Sequence, residues 1–306
     1  MKPAPFEYVA PRSIDEAVTA LARGGSEAKV LAGGQSLIPL LNFRLARPTL
    51  LVDLNRIPEL AHITPRNGGV GIGAMTRQVT VERNADLGRS QPLLKDAIGW
   101  VGHAAIRSRG TIGGSLAHAD PAAELPAVAV CLDARMRAVS PRGSREIASE
   151  AFFQGYLTTV LEPDEILVET WLPALQPNTG QAWLEFARRH GDFALVGVAA
   201  SITLRRELVQ DARIVLTGVG GKPVRVREAE TLLVGGTVED RVGAAADAAR
   251  TAIEPEADIH ASKEYRAHLA GVLTERAVRL AYDRAATVPG AALDVRRTLE
   301  AGQRRA

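Results

Sequence analysis

The sequence predicts an α+β protein built from two domains. Three observations predict this class: a length of 306 residues, a first part in which helices alternate with short apolar strands, and a last part in which strands precede helices. A segment rich in Pro, Asn and Gly at 174–180 separates the two parts. We expect an N-terminal domain over 1–175 (a small α/β subdomain at 1–55 and a larger α+β subdomain at 56–175), a C-terminal α+β domain over 181–285, and a tail over 286–306.

The first 55 residues predict a small α/β unit. Ser13, followed three positions later by Glu16, fits a capping box, in which the hydroxyl and the carboxylate each satisfy a free backbone N–H at a helix start. The helix runs over 14–23 and ends at a Gly pair. Buried strands are expected at 29–32 and 49–54, separated by a glycine break and a helical turn.

The rest of the chain predicts short strands and helices, with turns at Asn67-Gly68-Gly69 and 141–143 that form hairpins. Strands are predicted at 61–63, 70–72, 135–140, 144–147, 165–172, 181–187, 199–204 and 213–217. Helices are predicted at 78–84, 92–103, 124–132, 229–233, 240–251 and 262–285.

Composition narrows the class of protein. Hydrophobic residues make up 46% of the chain and charged residues 24%, as in soluble globular proteins. The net charge of +2 gives no broad basic field, so we expect no nucleic-acid partner. No apolar run is long enough to span a membrane and no signal-peptide pattern is visible, so we expect a cytoplasmic protein.

The chain has one cysteine, Cys131. A single thiol forms no internal disulfide and cannot hold an iron–sulfur cluster that needs four thiolates. Any such cluster must therefore lie on another chain.

Two segments share one chemical pattern, a glycine pair followed within two residues by Ser. They are Ala32, Gly33, Gly34, Gln35 and Ser36, and Thr111, Ile112, Gly113, Gly114 and Ser115. Glycine pairs let the backbone turn with positive φ and leave no Cβ to obstruct a ligand. Their N–H groups can then converge on an anion, with Ser, Thr and Gln as further donors. For one segment alone a plain turn is the ordinary interpretation, but two such segments favour a pyrophosphate site. Neither matches the Rossmann or P-loop fingerprint.

Three polar residues follow the second segment: His118, Asp120 and Glu124. They could orient a ribose or the edge of a flavin. The alternative is helix capping, with Asp120 as N-cap, Pro121 at the first helical position and Glu124 in the first turn. A metal site is disfavoured because the spacing and ligand number do not close one.

The segments AGGQSLIPLLNFRLARP at 32–48 and TIGGSLAHADPAAELPA at 111–127 closely resemble the FAD-binding medium subunit of the molybdenum hydroxylases. The resemblance is to the carbon monoxide dehydrogenase group, which is related to the flavin domain of xanthine dehydrogenase. A third match is RRHGDFA at 188–194, and the resemblance covers roughly 1–285.

The resemblance implies a two-part FAD-binding domain of the vanillyl-alcohol-oxidase type (PCMH-like), followed by a small α+β domain of the carbon monoxide dehydrogenase flavoprotein type. It implies FAD with its pyrophosphate over the two glycine segments and with Leu37 beside it. It further assigns Glu124 to the ribose or adenine side, Leu167 to the adenine end, and Asp192 and Phe193 to the isoalloxazine loop. Core packing is the alternative for Phe193. Where xanthine dehydrogenase relatives carry a lysine, this chain has Leu184 and Glu185.

The resemblance also implies partners. A large chain would carry the molybdopterin cofactor and oxidise the substrate, a small chain would carry two [2Fe–2S] clusters, and FAD would pass the electrons to NAD or a quinone. The assembly would be a dimer of heterotrimers, with no catalytic residue on this chain. The alternatives are a stand-alone FAD-dependent reductase or oxidase, and a non-catalytic binding protein with vestigial loops.

Overall fold

The computed structural model describes residues 2–66 and 68–287. Asn67 of the predicted turn and residues 288–306 of the predicted tail lie outside this range. The chain forms two compact units, each made of several segments. Of the described residues, the N-terminal unit comprises those within 2–85, Val101–Asp120 and Leu132–Ala174, and the C-terminal unit comprises Asp86–Trp100, Pro121–Cys131 and 175–287.

The strands are β1 (Glu7–Val9), β2 (Ala28–Leu31), β3 (Leu50–Asp53), β4 (Ile63–Arg66), β5 (Gly69–Gly73), β6 (Arg135–Ser140), β7 (Gly143–Ala148), β8 (Phe153–Gly155), β9 (Thr158–Thr159), β10 (Ile166–Pro173), β11 (Thr179–Phe186), β12 (Val196–Arg205), β13 (Leu208–Thr217) and β14 (Val224–Arg225). The helices are α1 (Ile14–Gly24), α2 (Leu37–Asn42), α3 (Gln78–Arg83), α4 (Ala85–Ser90), α5 (Pro92–Ile98), α6 (Ala104–Arg109), α7 (Ile112–His118), α8 (Glu124–Cys131), α9 (Ser149–Phe152), α10 (Arg227–Leu233), α11 (Val238–Thr251) and α12 (Lys263–Thr287).

Two sheets build most of the N-terminal unit. The first is parallel, with strand order β1-β3-β2, and the second is antiparallel, with order β4-β5-β10-β6-β7. One core joins the two sheets to α1, and it contains Leu21, Val52, Met75 and Val168. The parallel sheet matters for the site, because the carboxyl ends of β2 and β3 lie at one edge.

Capping sets the start of α1 as the sequence predicts. The Ser13 hydroxyl accepts a hydrogen bond from the Glu16 amide at 3.2 Å. The Glu16 carboxylate reaches one residue further back than in the usual capping box, to the Arg12 amide at 2.8 Å.

An antiparallel sheet forms the centre of the C-terminal unit, in the order β11-β12-β13-β14. Helix α12 packs along β11 and β12, α5 packs on β11, and α8 packs on β13. The core includes Val198, Ile214, Leu273 and Val278. The predicted order of strands followed by helices is therefore correct, but two earlier segments of the chain complete this unit.

Several predicted boundaries are wrong for identifiable reasons. The helix predicted over 92–103 ends at Ile98, and after Gly102 turns the chain with a φ of 49° a separate helix, α6, begins. The linker predicted over 174–180 is shorter, because β11 already begins at Thr179. Strand β4 begins two residues later than predicted, and β1 was not predicted because it has only three residues.

No helix in the described part of the chain combines the length and the apolar character that crossing a membrane requires.

The hydroxyl of Thr217 bonds the segment 121–131 to the sheet of the C-terminal unit, and a substitution at Thr217 measures the contribution of these bonds to stability. Its side chain is fully buried, and its hydroxyl lies 2.8 Å from the Pro121 carbonyl oxygen and 2.9 Å from that of Ala123. We expect Thr217→Val, which keeps the side-chain shape, to lower the free energy of unfolding by about 1–3 kcal/mol, because two buried acceptors lose their donor. Denaturant unfolding measures this. Thr231→Val is the control, since that exposed hydroxyl bonds only within its own helix, to the Arg227 carbonyl; equal losses for the two variants would contradict the assignment.

Candidate functional site

The structure brings the two glycine segments into direct contact. A Cβ at position 33 would lie 2.4 Å from the Arg109 carbonyl oxygen and 2.8 Å from the Gly110 Cα. A Cβ at position 114 would lie 3.3 Å from the Ala32 Cβ. Backbone therefore packs against backbone, and a side chain at Gly33 would force the two segments apart.

The first segment presents unused backbone donors. It follows β2, and Gly34 adopts a φ of 74°, which favours glycine. The amide groups of residues 34–37 donate no hydrogen bond within the described part of the chain, whereas the next amide, that of Ile38, donates to the Gly34 carbonyl at 3.1 Å. Four consecutive free N–H groups at a tight turn form a cluster of donors suited to an anion.

The second segment differs from the predicted glycine turn. It forms the first turn of α7, with Thr111 as N-cap. Its backbone amides are already bonded to other groups of the protein. The Ile112 amide donates to the Thr76 carbonyl at 3.1 Å and the Gly113 amide to the Ala74 carbonyl at 2.9 Å. The Gly114 amide donates to the Thr111 hydroxyl at 2.9 Å. Free N–H groups are therefore present in the first segment, whereas those of residues 112–115 in the second segment are bonded. The glycines of the second segment permit close packing, since a Cβ at position 113 would lie 2.4 Å from the Ala74 Cβ. The Ser115 hydroxyl makes no hydrogen bond to any described residue and is the donor that this segment offers.

Two side chains that the sequence analysis did not identify hold the two segments together. The Asn55 amide nitrogen donates to the Ala32 carbonyl at 2.9 Å, and the Asn55 amide oxygen accepts from the Arg77 guanidinium at 2.6 Å. A second guanidinium nitrogen of Arg77 donates to the Arg109 carbonyl. This Asn55–Arg77 pair thus links a carbonyl of the first segment to the Arg109 carbonyl, two residues before the second segment begins.

Asp53 orients this pair. Its carboxylate accepts from the backbone N–H of Asn55 at 2.9 Å and from the Tyr8 hydroxyl at 2.6 Å. The bond to the carboxylate, with burial, raises the pKa of Tyr8, so the phenol stays a donor. A sequence signal was available, because Asp53 ends, and Asn55 follows, a buried strand that is parallel to the strand before the first glycine segment.

The other predicted residues of the N-terminal unit lie apart from these contacts. His118 ends α7, and its Nε2 lies 4.0 Å from an Asp120 carboxylate oxygen. The alternative of Asp120 as an N-cap is wrong, because α8 begins at Glu124. Leu167 is buried on β10, at a bulge in the pairing with β6.

Three predicted residues belong to the C-terminal unit. Asp192 and Phe193 lie in the turn between β11 and β12, where the Asp192 amide bonds to the Arg189 carbonyl at 3.1 Å. Phe193 is 64% exposed, so the alternative of core packing is wrong. Glu124 is buried at the start of α8.

Glu124 has a second buried carboxyl as an electrostatic neighbour, that of Glu185 on β11. Burial and the negative charge of Glu124 raise the pKa of Glu185 to about 8, although a hydrogen bond from the Trp183 indole at 3.2 Å acts in the opposite direction. The pair of carboxyls therefore retains a proton at neutral pH.

Comparisons with known proteins agree with this architecture. Residues 4–175 match the family described as "FAD binding domain in molybdopterin dehydrogenase", and residues 181–281 match "CO dehydrogenase flavoprotein C-terminal domain". The chain is 43% identical to the 6-hydroxypseudooxynicotine dehydrogenase complex subunit alpha of Paenarthrobacter nicotinovorans, over 93% of this chain and 97% of that one. It is 40% identical to the caffeine dehydrogenase subunit beta of Pseudomonas sp. strain CBB1, over 93% and 97%.

A solved structure gives the same result. Carbon monoxide dehydrogenase from Hydrogenophaga pseudoflava superposes with a TM-score of 0.91 at 38% identity, over 93% of this chain and 99% of that chain. This chain therefore belongs to the family of FAD-binding medium subunits of the molybdenum hydroxylases. It is an oxidoreductase subunit with FAD as its cofactor, and the predicted two-domain fold is confirmed.

The carboxyl pair generates a pH prediction. The raised pKa means that the folded chain holds a proton on Glu185 which the unfolded chain, with a pKa near 4.5, releases. Stability contributed by this group is thus present at about pH 4.5 and falls as the pH rises toward 8. The free energy of unfolding of the unmodified chain therefore falls between about pH 5 and pH 8. We expect this fall to be smaller by roughly 1–3 kcal/mol in Glu185→Gln, which has no carboxyl to titrate at this position. Urea unfolding across this range is the measurement, and an unchanged pH slope would contradict the assignment.

Proposed function

We propose that the chain is the electron-transfer subunit of a heterotrimeric molybdenum hydroxylase, with the pyrophosphate of FAD held where the two glycine segments meet. The single observation that carries the proposal is the cluster of free amides at residues 34–37, set against a second segment that approaches without side chains.

The residues present fit the cofactor. A pyrophosphate offers many anionic acceptors, and the free N–H groups of 34–37 are matching donors that need no counter-charge. The hydroxyls of Ser36 and Ser115 can add two further bonds. Leu37, in the first turn of α2, would lie beside the nucleotide. The roles of His118, Asp120, Glu124, Leu167, Asp192 and Phe193 remain predictions from the family resemblance.

FAD when bound accepts electrons from iron–sulfur clusters and releases them to an acceptor such as NAD or a quinone. The residues of this chain bind and orient it. Cys131 is buried and is the sole cysteine, which supports clusters on a small partner subunit and the molybdenum cofactor on a large one. We propose that the complete assembly is a dimer of heterotrimers.

Metal and flavin analysis tests this function. The affinity-purified complex from its native host should contain FAD, iron, labile sulfide and molybdenum, with FAD on this chain. A yellow, metal-free protein that turns over a substrate by itself would instead identify a stand-alone flavoenzyme. A chain that takes up no added FAD would contradict a flavin subunit of any kind.

Gly33 provides a direct test of the contact between the segments. We expect Gly33→Ala to raise the dissociation constant for FAD at least about tenfold, because the new Cβ would displace the Arg109 carbonyl. Flavin fluorescence titration of the folded chain is the measurement. Gly155→Ala, in the same unit, is the matched control, since a Cβ there meets no atom within 4 Å. Equal affinity in the two variants would contradict the proposed site.

The Asn55–Arg77 pair provides a second test. Arg77→Met keeps the apolar stem but removes the donors to Asn55 and to the Arg109 carbonyl. We expect FAD affinity to fall about tenfold, which corresponds to the loss of about one hydrogen bond's net contribution. Arg56→Met is the control, because the side chain of Arg56 is exposed and makes no hydrogen bond to any described residue. If Arg77→Met lowers thermal stability but leaves FAD affinity intact, the pair does not position the cofactor loops.

A further inference from the structure

The turn that follows α2 exposes two large apolar side chains. Phe43 is 67% exposed and Leu45 is 76% exposed, the two highest values among the large hydrophobic residues described in the N-terminal unit. Exposed aromatic and leucine side chains are costly to hydrate, and when clustered they mark interaction surfaces. We call Phe43, Arg44 and Leu45 the apolar turn.

The apolar turn is held in a strained conformation. Arg44 has a φ of 58°, in the left-handed region that disfavours residues with a Cβ. Backbone bonds fix it: the Arg44 amide donates to the Leu41 carbonyl at 3.0 Å and the Leu45 amide donates to the Leu40 carbonyl at 2.9 Å. A glycine would satisfy this geometry better. The turn therefore presents Phe43 and Leu45 to solvent at a conformational cost, which is typical of recognition sites.

The charged residues within the turn and the chain that flanks it are all basic. Arg44 and Arg47 are exposed, and the Arg44 guanidinium donates to the backbone carbonyl of Lys2 at 3.2 Å, which places the backbone of Lys2 beside the turn. The sequence from 28 to 52 contains three basic residues and no carboxylate. The surface is apolar at its centre and basic at its rim, so it fits a partner with exposed apolar groups and negative charge.

The position of the turn selects among such partners. Helix α2 begins at Leu37, the last of the four residues with free amides, and has six residues, so it is about 9 Å long. The apolar turn at its far end therefore lies close to the proposed cofactor. A chain that exchanges electrons with that cofactor must dock nearby, and a cluster ligated by thiolates carries negative charge.

We propose that the apolar turn is a docking surface for the small subunit that carries the [2Fe–2S] clusters. Phe43 and Leu45 supply the apolar contact, and Arg44 and Arg47 supply attraction to an acidic surface around the clusters. This inference rests on the proposed function, because it requires that the partner exists.

The test uses the complex assembled in its native host, with an affinity tag on this chain. Iron, labile sulfide and FAD are measured per tagged chain, and the co-eluting small chain is identified by its [2Fe–2S] absorbance. In the double variant Phe43→Asp/Leu45→Asp, we expect the ratio of iron to FAD in the purified complex to fall at least tenfold. The amount of FAD per tagged chain should be unchanged. The control, Leu208→Asp/Ile259→Asp, places two charges at exposed apolar positions of the C-terminal unit and should retain iron.

A second variant tests the positive charge of Arg44 without changing the conformation of the turn. Arg44→Gly accommodates the left-handed φ and keeps the turn, but removes one positive charge. We expect this variant to retain FAD and to lose iron at about half the salt concentration that the unmodified complex requires.

The remaining outcomes are distinguishable. Full iron retention in the double aspartate variant would overturn the docking surface and leave the proposed function intact. A complex that never contains iron would overturn the proposed function and the inference together. If the double variant instead converts a dimer of this chain to a monomer with its iron unchanged, the turn is an interface between copies, and the proposal is wrong.

Discussion

The contact between Gly33 and the backbone at Arg109 and Gly110 is the constraint on which the site depends. At a Cβ-to-oxygen separation of 2.4 Å no side chain fits, so the two segments can touch only through bare backbone. This contact sets the first segment, with its four free amides, against the first turn of α7. The backbone is therefore closely packed, yet the N–H groups of residues 34–37 have no acceptor within the described part of the protein. Backbone N–H groups that are buried or half-buried rarely stay without an acceptor unless a ligand supplies one.

The Asn55–Arg77 pair complements this contact. Glycines allow the two segments to approach but do not hold them together, because glycine makes no side-chain contacts and raises the entropy of the unfolded chain. Hydrogen bonds to the carbonyls of Ala32 and Arg109, oriented by Asp53, supply the attraction. In this family architecture the protein provides binding and orientation, while the chemistry belongs to the cofactor. Two glycine segments that are already fixed against each other before the cofactor binds suit a protein whose task is binding and orientation.

Much of this could be predicted from sequence. The capping pattern at Ser13, the buried strand over 50–53, the hairpin of β6 and β7 and the order of strands and helices in the C-terminal unit follow from local rules. The two glycine segments were identifiable as a pair because their composition is unusual. The helical start of the second segment was not predicted, since a glycine pair ordinarily weakens helices; the Thr111 cap and the close packing of Gly113 against Ala74 explain it here. Arg77 and Asn55 could not be paired, because they are 22 positions apart and meet only through tertiary structure.

Whether the two glycine segments bind a pyrophosphate can be measured by comparing nucleotides on the flavin-free chain. Titration calorimetry with FAD, FMN, ADP and AMP distinguishes the pyrophosphate from the flavin ring and from the adenosine. We expect FAD to bind at least about tenfold more tightly than FMN, and ADP, which carries a pyrophosphate, to compete with FAD at least about tenfold better than AMP, which does not. Equal affinity for FAD and FMN, or equal competition by ADP and AMP, would show that the segments do not bind the pyrophosphate.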